Sequence, residues 1–214
     1  EMDLDARKTI DGADMLGGNV ADNLVSLARR HATFFSAPDE TTWGAVHFNA
    51  RRETWSLRSK GFRTWLVHQY FRATQRAPNA EALNQSLLTL DAVARYEGEQ
   101  RTVFIRTAEH EGKYYVDLAD EGWQVVEIDA EGWRVVSEAP VYFRRPRGML
   151  PLPTPMSGGT LGELRSFLNL SEDADFTLIV AWLLAALRSK GPYPLLALTG
   201  EPGAAKSTTA SILR

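Results

Sequence analysis

The stretch Gly200-Glu201-Pro202-Gly203-Ala204-Ala205-Lys206-Ser207-Thr208 carries the residue types that hold a triphosphate, in the order and spacing of a phosphate-binding loop. Gly200 and Gly203 can take backbone angles that a side chain forbids, so amide N–H groups from Gly203 to Ser207 can converge on phosphate oxygens. Lys206 would reach the β- and γ-phosphates as a compact charge, and the Ser207 hydroxyl would ligate Mg²⁺. The pattern G-x-x-x-x-G-K-S/T is kept except before the lysine, where Ala205 replaces Gly. Ala205 is expected near helical angles, where its methyl crowds the phosphates without closing the site. The alternative is a loop of small residues that happens to include a lysine.

Such a loop needs a strand before it and a helix after it. The apolar run Leu195 to Leu198 supplies the expected strand, and the residues from Lys206 onward are compatible with a helix. Upstream, Thr160-Leu161-Gly162-Glu163 fits a capping box for a short helix through Phe167. Ser171-Glu172-Asp173 opens a strongly apolar helix, Phe176 to Arg188, that ends at Lys190-Gly191-Pro192. That helix is apolar nearly all round, so it is expected to be buried against the strand.

The alternating prolines between Pro146 and Pro155 mark a stiff extended connector. Before it, turn signals recur at Glu111-Gly112, Glu121-Gly122 and Glu131-Gly132. Between them lie Val103-Phe104-Ile105, Tyr114 to Leu118, Trp123 to Ile128 and Trp133 to Val136, with Val141-Tyr142-Phe143 closing the series, which predicts an antiparallel meander. Further upstream, Gly61 to Thr74 and Asn79 to Tyr96 read as helices, the first with Phe62, Trp65, Leu66 and Tyr70 inward, the second with Leu83, Leu87, Leu90 and Val93 inward. Trp43 to Phe48 and Glu53 to Leu57 around Asn49-Ala50-Arg51-Arg52 read as a hairpin with one buried face. A short amphipathic helix with Val20, Leu24, Leu27 and Ala28 on one face precedes it, and Phe34 and Phe35 anchor the segment after that helix. The expected organisation is a mobile lead-in at 1–18, an α+β accessory domain at 19–146, the connector at 147–159, and the start of an α/β P-loop ATPase domain at 160–214.

With 214 residues, 44% hydrophobic and 24% charged, the chain can bury a core and is not of disordered composition. The absence of cysteine excludes disulfides and thiolate zinc sites and suits a reducing cytoplasm, while His31, His47, His68 and His110 are too scattered for a metal site. No leader opens the chain and no apolar run approaches the ~20 residues of a membrane span, so a soluble cytoplasmic protein without membrane contact is expected. The chain lacks an initiator Met and stops just inside the helix after the loop, as a piece of a longer protein would.

The net charge of -3 conceals two fields. From Arg51 to Arg76 the cations Arg51, Arg52, Arg58, Lys60, Arg63, Arg72 and Arg76 face Glu53 alone, with Trp55, Phe62, Trp65, Tyr70 and Phe71 interleaved. Arg144, Arg145 and Arg147 form a second cluster. Either set could follow a phosphate backbone, with DNA as the partner, or could be a solvated face. The meander is the acidic counterpart, its acids placed mainly at turns, and no acid/base pair stands out there.

Together, Arg52-Glu53-Thr54-Trp55-Ser56-Leu57-Arg58-Ser59-Lys60-Gly61-Phe62-Arg63, the meander ending in Trp133-Arg134-Val135-Val136, the segment Ala181-Trp182-Leu183 and Gly191-Pro192-Tyr193-Pro194, and the loop itself resemble bacterial ATP-binding proteins of phages and mobile elements. These are similar to the helicase part of primase-helicases, in which an accessory domain precedes an AAA-like, ring-forming P-loop ATPase. The resemblance runs from about Leu24 onward, and some members also carry Ala before the Lys. It implies ATP phosphate contact at Gly203 to Lys206, Mg²⁺ at Ser207, and a homo-oligomeric ring in the full-length protein. It gives the upstream residues no role. Two other readings stay open: a non-enzymatic nucleic-acid-binding or assembly module, and a small-molecule kinase, which would need a lid after the loop. Hydrolysis also needs a water-positioning acid and usually a neighbour's arginine, so this chain alone is expected not to turn over ATP.

Overall fold

The computed structural model describes residues 18–48 and 51–213; the expected lead-in therefore lies almost wholly outside the described residues. Helix α1 (Val20–His31) starts at Asn19, whose side chain accepts a 3.0 Å bond from the Asp22 N–H, and ends with Arg29, Arg30 and His31 against the negative end of its dipole. Leu24, Leu27 and Ala28 are buried as spacing anticipates, but the fourth buried residue is Ala21, with Val20 only partly buried.

The chain passes directly into β1 (Ala32–Ser36), which pairs antiparallel with β2 (Thr42–Phe48), itself paired antiparallel with β3 (Arg51–Ser56). Successive strand side chains point to opposite faces, so the adjacent Phe34 and Phe35 serve two cores. Phe34 meets Phe62 edge to face at 6.1 Å, whereas Phe35 lies 4.7 Å from Tyr142. The hairpin therefore differs from expectation. Val46 joins the core beneath the helices, and Trp43 and Ala45 join Phe35, Ala37 and Tyr142 on the other side, so β2 is covered on both faces. Phe48 pairs with Arg51, which puts Arg51 and Arg52 in the strand rather than in the turn; the connecting residues 49 and 50 lie outside the described residues.

Helices α2 (Lys60–Thr74) and α3 (Ala80–Tyr96) are capped by Ser59 and Asn79, whose side chains accept from the Phe62 N–H at 3.1 Å and the Ala82 N–H at 2.7 Å. α2 buries Phe62, Leu66 and Tyr70 as expected, with Trp65 packed beside them. α3 is rotated from expectation: Ala82, Ser86, Leu90 and Ala94 are buried, and Leu83, Leu87 and Val93 flank them. This stripe of mostly small residues lets α1 approach closely, and the buried Ser86 hydroxyl is satisfied by the Leu83 carbonyl at 2.8 Å.

After α3 the chain crosses β1, where the Ser36 N–H donates to the Glu99 carbonyl at 3.2 Å and the Arg101 N–H to the Ser36 carbonyl at 2.8 Å. The crossing needs Gly98. A Cβ there would stand 2.5 Å from the Phe34 carbonyl oxygen and 2.6 Å from that of Ala94, both backbone atoms that cannot move aside. Gly98→Ala is expected to cost about 1–3 kcal/mol of unfolding free energy, as overpacked sites do, measured by urea denaturation. An unchanged midpoint would refute this close approach.

Of the expected meander strands, the outer two are separate. Arg106 takes a left-handed φ of 63° and the Thr107 N–H closes back on the Ile105 carbonyl at 2.7 Å, which interrupts the first run. β4 (Val103–Phe104) instead pairs in parallel with β9 (Tyr142–Phe143). The meander proper is β5 (Thr107–His110), β6 (Lys113–Asp117), β7 (Val125–Asp129) and β8 (Gly132–Val136), all antiparallel. Glu111 and Gly112 both have positive φ, the two-residue turn that matches strand twist. Ala108, Tyr115, Val125, Ala139, Val141 and Phe143 form a core for this sheet. Burial pushes the Tyr115 hydroxyl up to about 12, helped by the neighbouring Glu127.

Beyond the connector lie α4 (Leu161–Ser166), α5 (Asp173–Ala186) and α6 (Lys206–Ile212). Three expectations fail here. The Thr160 side chain makes no cap; the Glu163 N–H bonds its carbonyl at 3.1 Å instead. α5 is not enclosed: Ile179 is buried, but Leu178 and Leu184 are 67% and 65% exposed. Leu195 to Leu198 is not a strand, because no other strand among the described residues lies beside it to take its N–H and C=O groups, and Leu195 is 98% exposed. The described residues form a mixed α+β structure with six helices and three small sheets, and no helix among them is long and apolar enough to cross a membrane.

Candidate functional site

The loop between 199 and α6 contains three left-handed residues in close succession. Gly200 has φ 150°, Gly203 has φ 86°, and Ala205 has φ 58°, ψ 22°. A left-handed residue followed by the right-handed first residue of a helix curls consecutive N–H groups toward one side, which is how backbone makes a concave anion seat. The N–H groups of Lys206, Ser207 and Thr208 belong to the first helical turn and have no intrahelical acceptor. The Lys206 ammonium folds back over the loop and donates to the Gly200 and Glu201 carbonyls, each at 2.9 Å. The Ala204 N–H closes on the Glu201 carbonyl at 3.2 Å, and the Asn169 amide reaches the Ala204 carbonyl at 3.5 Å. Ser207 and Thr208 are exposed. Glu201 and Pro202 form the exposed tip.

The residues therefore fit a triphosphate and its cation in donor chemistry. Backbone N–H groups, one ammonium and the exposed hydroxyls of Ser207 and Thr208 sit within a few residues of one another. The strand expected to fix the loop from behind is missing. Ala205 also departs from expectation, since it occupies a left-handed rather than a helical position. That conformation costs a residue with a Cβ about 1–2 kcal/mol, whereas glycine's extra unfolded freedom returns about 0.5–1 kcal/mol. Ala205→Gly is accordingly expected to stabilise the loop by about 0.5–1 kcal/mol. Slower hydrogen exchange at the Thr209 amide, which bonds the Ala205 carbonyl at 2.9 Å, would register it; faster exchange would refute it.

The basic candidates separate into two groups. Arg52 is built into the fold: its guanidinium donates to the Ala139 carbonyl and, at 2.7 Å, to that of Val141, and it lies 4.3 Å over the Tyr142 ring. Burial pulls its pKa below the ordinary arginine value, partly opposed by Glu138. Arg51 pairs with Glu53 at 2.7 Å and donates to the Glu121 carbonyl at 2.6 Å. Arg145 grips Asp117 with two bonds, 3.0 and 2.6 Å, donates to the Asp120 carbonyl at 2.5 Å and stacks 3.9 Å over Trp123. Arg58, Lys60, Arg63, Arg144 and Arg147 by contrast are exposed.

No family model matches the chain, and no curated protein or solved structure is detectably similar to it. Phe71 has no inward role in the sequence pattern, and its helical spacing from Lys60 and Thr64 is the signal that places it outward with them.

Proposed function

We propose that the chain binds ATP with Mg²⁺ through residues 200–208 and belongs to a helicase-type, ring-forming P-loop ATPase of a phage or mobile element, in which residues 19–146 contact DNA or neighbouring subunits. The observation that carries the nucleotide part is the loop itself: left-handed Gly203 and Ala205 lead into α6, with the Lys206 ammonium held across the loop by two carbonyls. Those carbonyl bonds involve a loop on the surface, so the ammonium can exchange them for β- and γ-phosphate oxygens at little cost. The backbone N–H groups of the loop and of the first turn of α6 orient the phosphates. The Ser207 hydroxyl would hold Mg²⁺, which supplies charge neutralisation between the phosphates when bound.

A fluorescent ATP analogue titrated into the full chain with Mg²⁺ tests the reading. Saturable binding that ATP displaces and AMP does not, and that weakens when Mg²⁺ is chelated, is the expected result. No saturable binding, or equal displacement by AMP, overturns it. A second reading, a nucleic-acid-binding module in which nucleotide plays no part, draws support from the cations of α2, which have no ion-pair partner among the described residues; the same titration separates the two.

A further inference from the structure

The outward side of α2 is basic and free of acids. Its sequence, from Lys60 to Thr74, contains no Asp or Glu. Phe62, Leu66 and Tyr70 face the core, and on the opposite side Lys60, Thr64 and Phe71 stand exposed at steps of four and seven residues, with Arg63 and Arg72 exposed on its two flanks. Arg58 precedes the helix and Arg76 follows it, both exposed. None of the Arg58, Lys60, Arg72 or Arg76 side chains has a hydrogen-bond or ion-pair partner among the described residues, and Arg63 reaches only the neutral Asn84 amide at 3.0 Å. Lys60 and Arg72 are about 18 Å apart along the axis at 1.5 Å per residue. The result is a helix surface with unneutralised cations on its outward face (Lys60) and on both flanks (Arg63, Arg72), with a half-exposed aromatic ring, Phe71 at 48%, among them.

Several of the acids that could serve as an internal or intermolecular partner are engaged elsewhere. Glu53 holds Arg51, Glu99 holds Arg101, Asp117 holds Arg145, and Glu127 and Asp129 share Lys113 and Arg134. A polyanion of another molecule complements this charge, and an exposed ring between cations suits one whose bases are accessible. Duplex DNA hides its base faces; a single strand presents them.

We propose that this face of α2 binds single-stranded nucleic acid, with phosphates on Arg58, Lys60, Arg63, Arg72 and Arg76 and a base stacked on Phe71. The inference deepens the DNA-contact part of the function proposed above and is independent of its nucleotide part, so it is tested without ATP. Anisotropy of a fluorescent oligo-dT is measured against the full chain in rising salt, beside a duplex of equal length.

Wild type should bind the single strand more tightly than the duplex and lose about a hundredfold in affinity between 50 and 200 mM salt. Replacing three partnerless cations (Arg58→Gln, Lys60→Gln, Arg72→Gln) should lower the salt slope by about 2, because each single-strand phosphate contact contributes about 0.7. Phe71→Ala, an exposed position with little folding risk, should weaken the single strand about tenfold and leave any duplex binding unchanged. An Arg144→Gln, Arg147→Gln variant should bind as wild type does. The proposal is overturned by equal binding of the triple variant, by a loss confined to the Arg144 and Arg147 variant, or by duplex binding as tight as single-strand binding. Failure to bind oligo-dT combined with charge-dependent self-association would also overturn it, assigning the face to a second copy of the chain. ATP-analogue binding would stand or fall separately.

Discussion

Asp117→Ala is expected to lower the unfolding free energy by about 3–5 kcal/mol, the effect of stranding one member of a buried ion pair. Asp117 is 1% exposed and accepts from Nε and Nη2 of Arg145 and from the Ala119 N–H at 3.0 Å. Truncation would leave the Arg145 guanidinium against Trp123 without its bidentate carboxylate partner, with only the more distant Asp120 carboxylate, at 3.8 Å, beside it. The pair also fixes the route of the chain after β9, so its loss should loosen the turn 118–124. Urea denaturation followed by tryptophan fluorescence measures the effect. Replacing both residues, as Asp117→Leu with Arg145→Leu, should recover much of the loss, because a buried pair and an apolar pair of similar volume differ little. A decrease below about 1 kcal/mol for Asp117→Ala would show that the pair is solvated in practice.

Lys206→Ala should weaken ATP-analogue binding by about a hundredfold, the loss of roughly 3 kcal/mol that accompanies removal of one partner from a close charge pair. Folding should be untouched, within about 0.5 kcal/mol, since the ammonium contacts only the Gly200 and Glu201 carbonyls of its own loop. Lys206→Arg is not expected to rescue binding, because a planar guanidinium is too bulky for a point-charge position curled over backbone carbonyls. A change below threefold for Lys206→Ala would remove the loop from the account of nucleotide binding and leave the α2 face as the molecule's best-supported interaction site.

The helices were legible because their signals are local. Asn79 caps α3 where spacing placed it, and the buried stripe of α1 follows from a period of 3.6 residues. The turn Glu111-Gly112 was legible for the same reason: left-handed backbone needs particular residues at particular positions. β1 was not, since five residues between a helix and a turn give no period to read, and Phe34 and Phe35 serve opposite faces. The parallel pairing of Val103 with Tyr142 depends on a break at Arg106 that no residue type announces. At the candidate sites, the loop motif was explicit, but the left-handed Ala205 and the unpaired Leu195 to Leu198 depend on neighbours rather than on spacing. Arg52 and Arg145 read like Arg58 in the sequence; only folding brings Val141 and Asp117 to them from 89 and 28 residues away.

Arg52 and Tyr142 also have a consequence for how the molecule comes apart. The core under the helices and the core of the meander share no buried residue, yet Tyr142 of β9 closes the outer face of the first sheet against Phe35 while the adjacent Val141 and Phe143 belong to the second. Arg52, from the first hairpin, holds the backbone of that same segment. Melting the meander together with the β4–β9 pair packed on it would uncover Phe35, Ala45 and Trp43 and leave a buried guanidinium without those acceptors, so neither half can denature without penalising the other. Two clusters tied in this manner should unfold in a single cooperative transition, and the slow step of folding should be closure of β9 on β4, which must wait for the whole intervening meander to form.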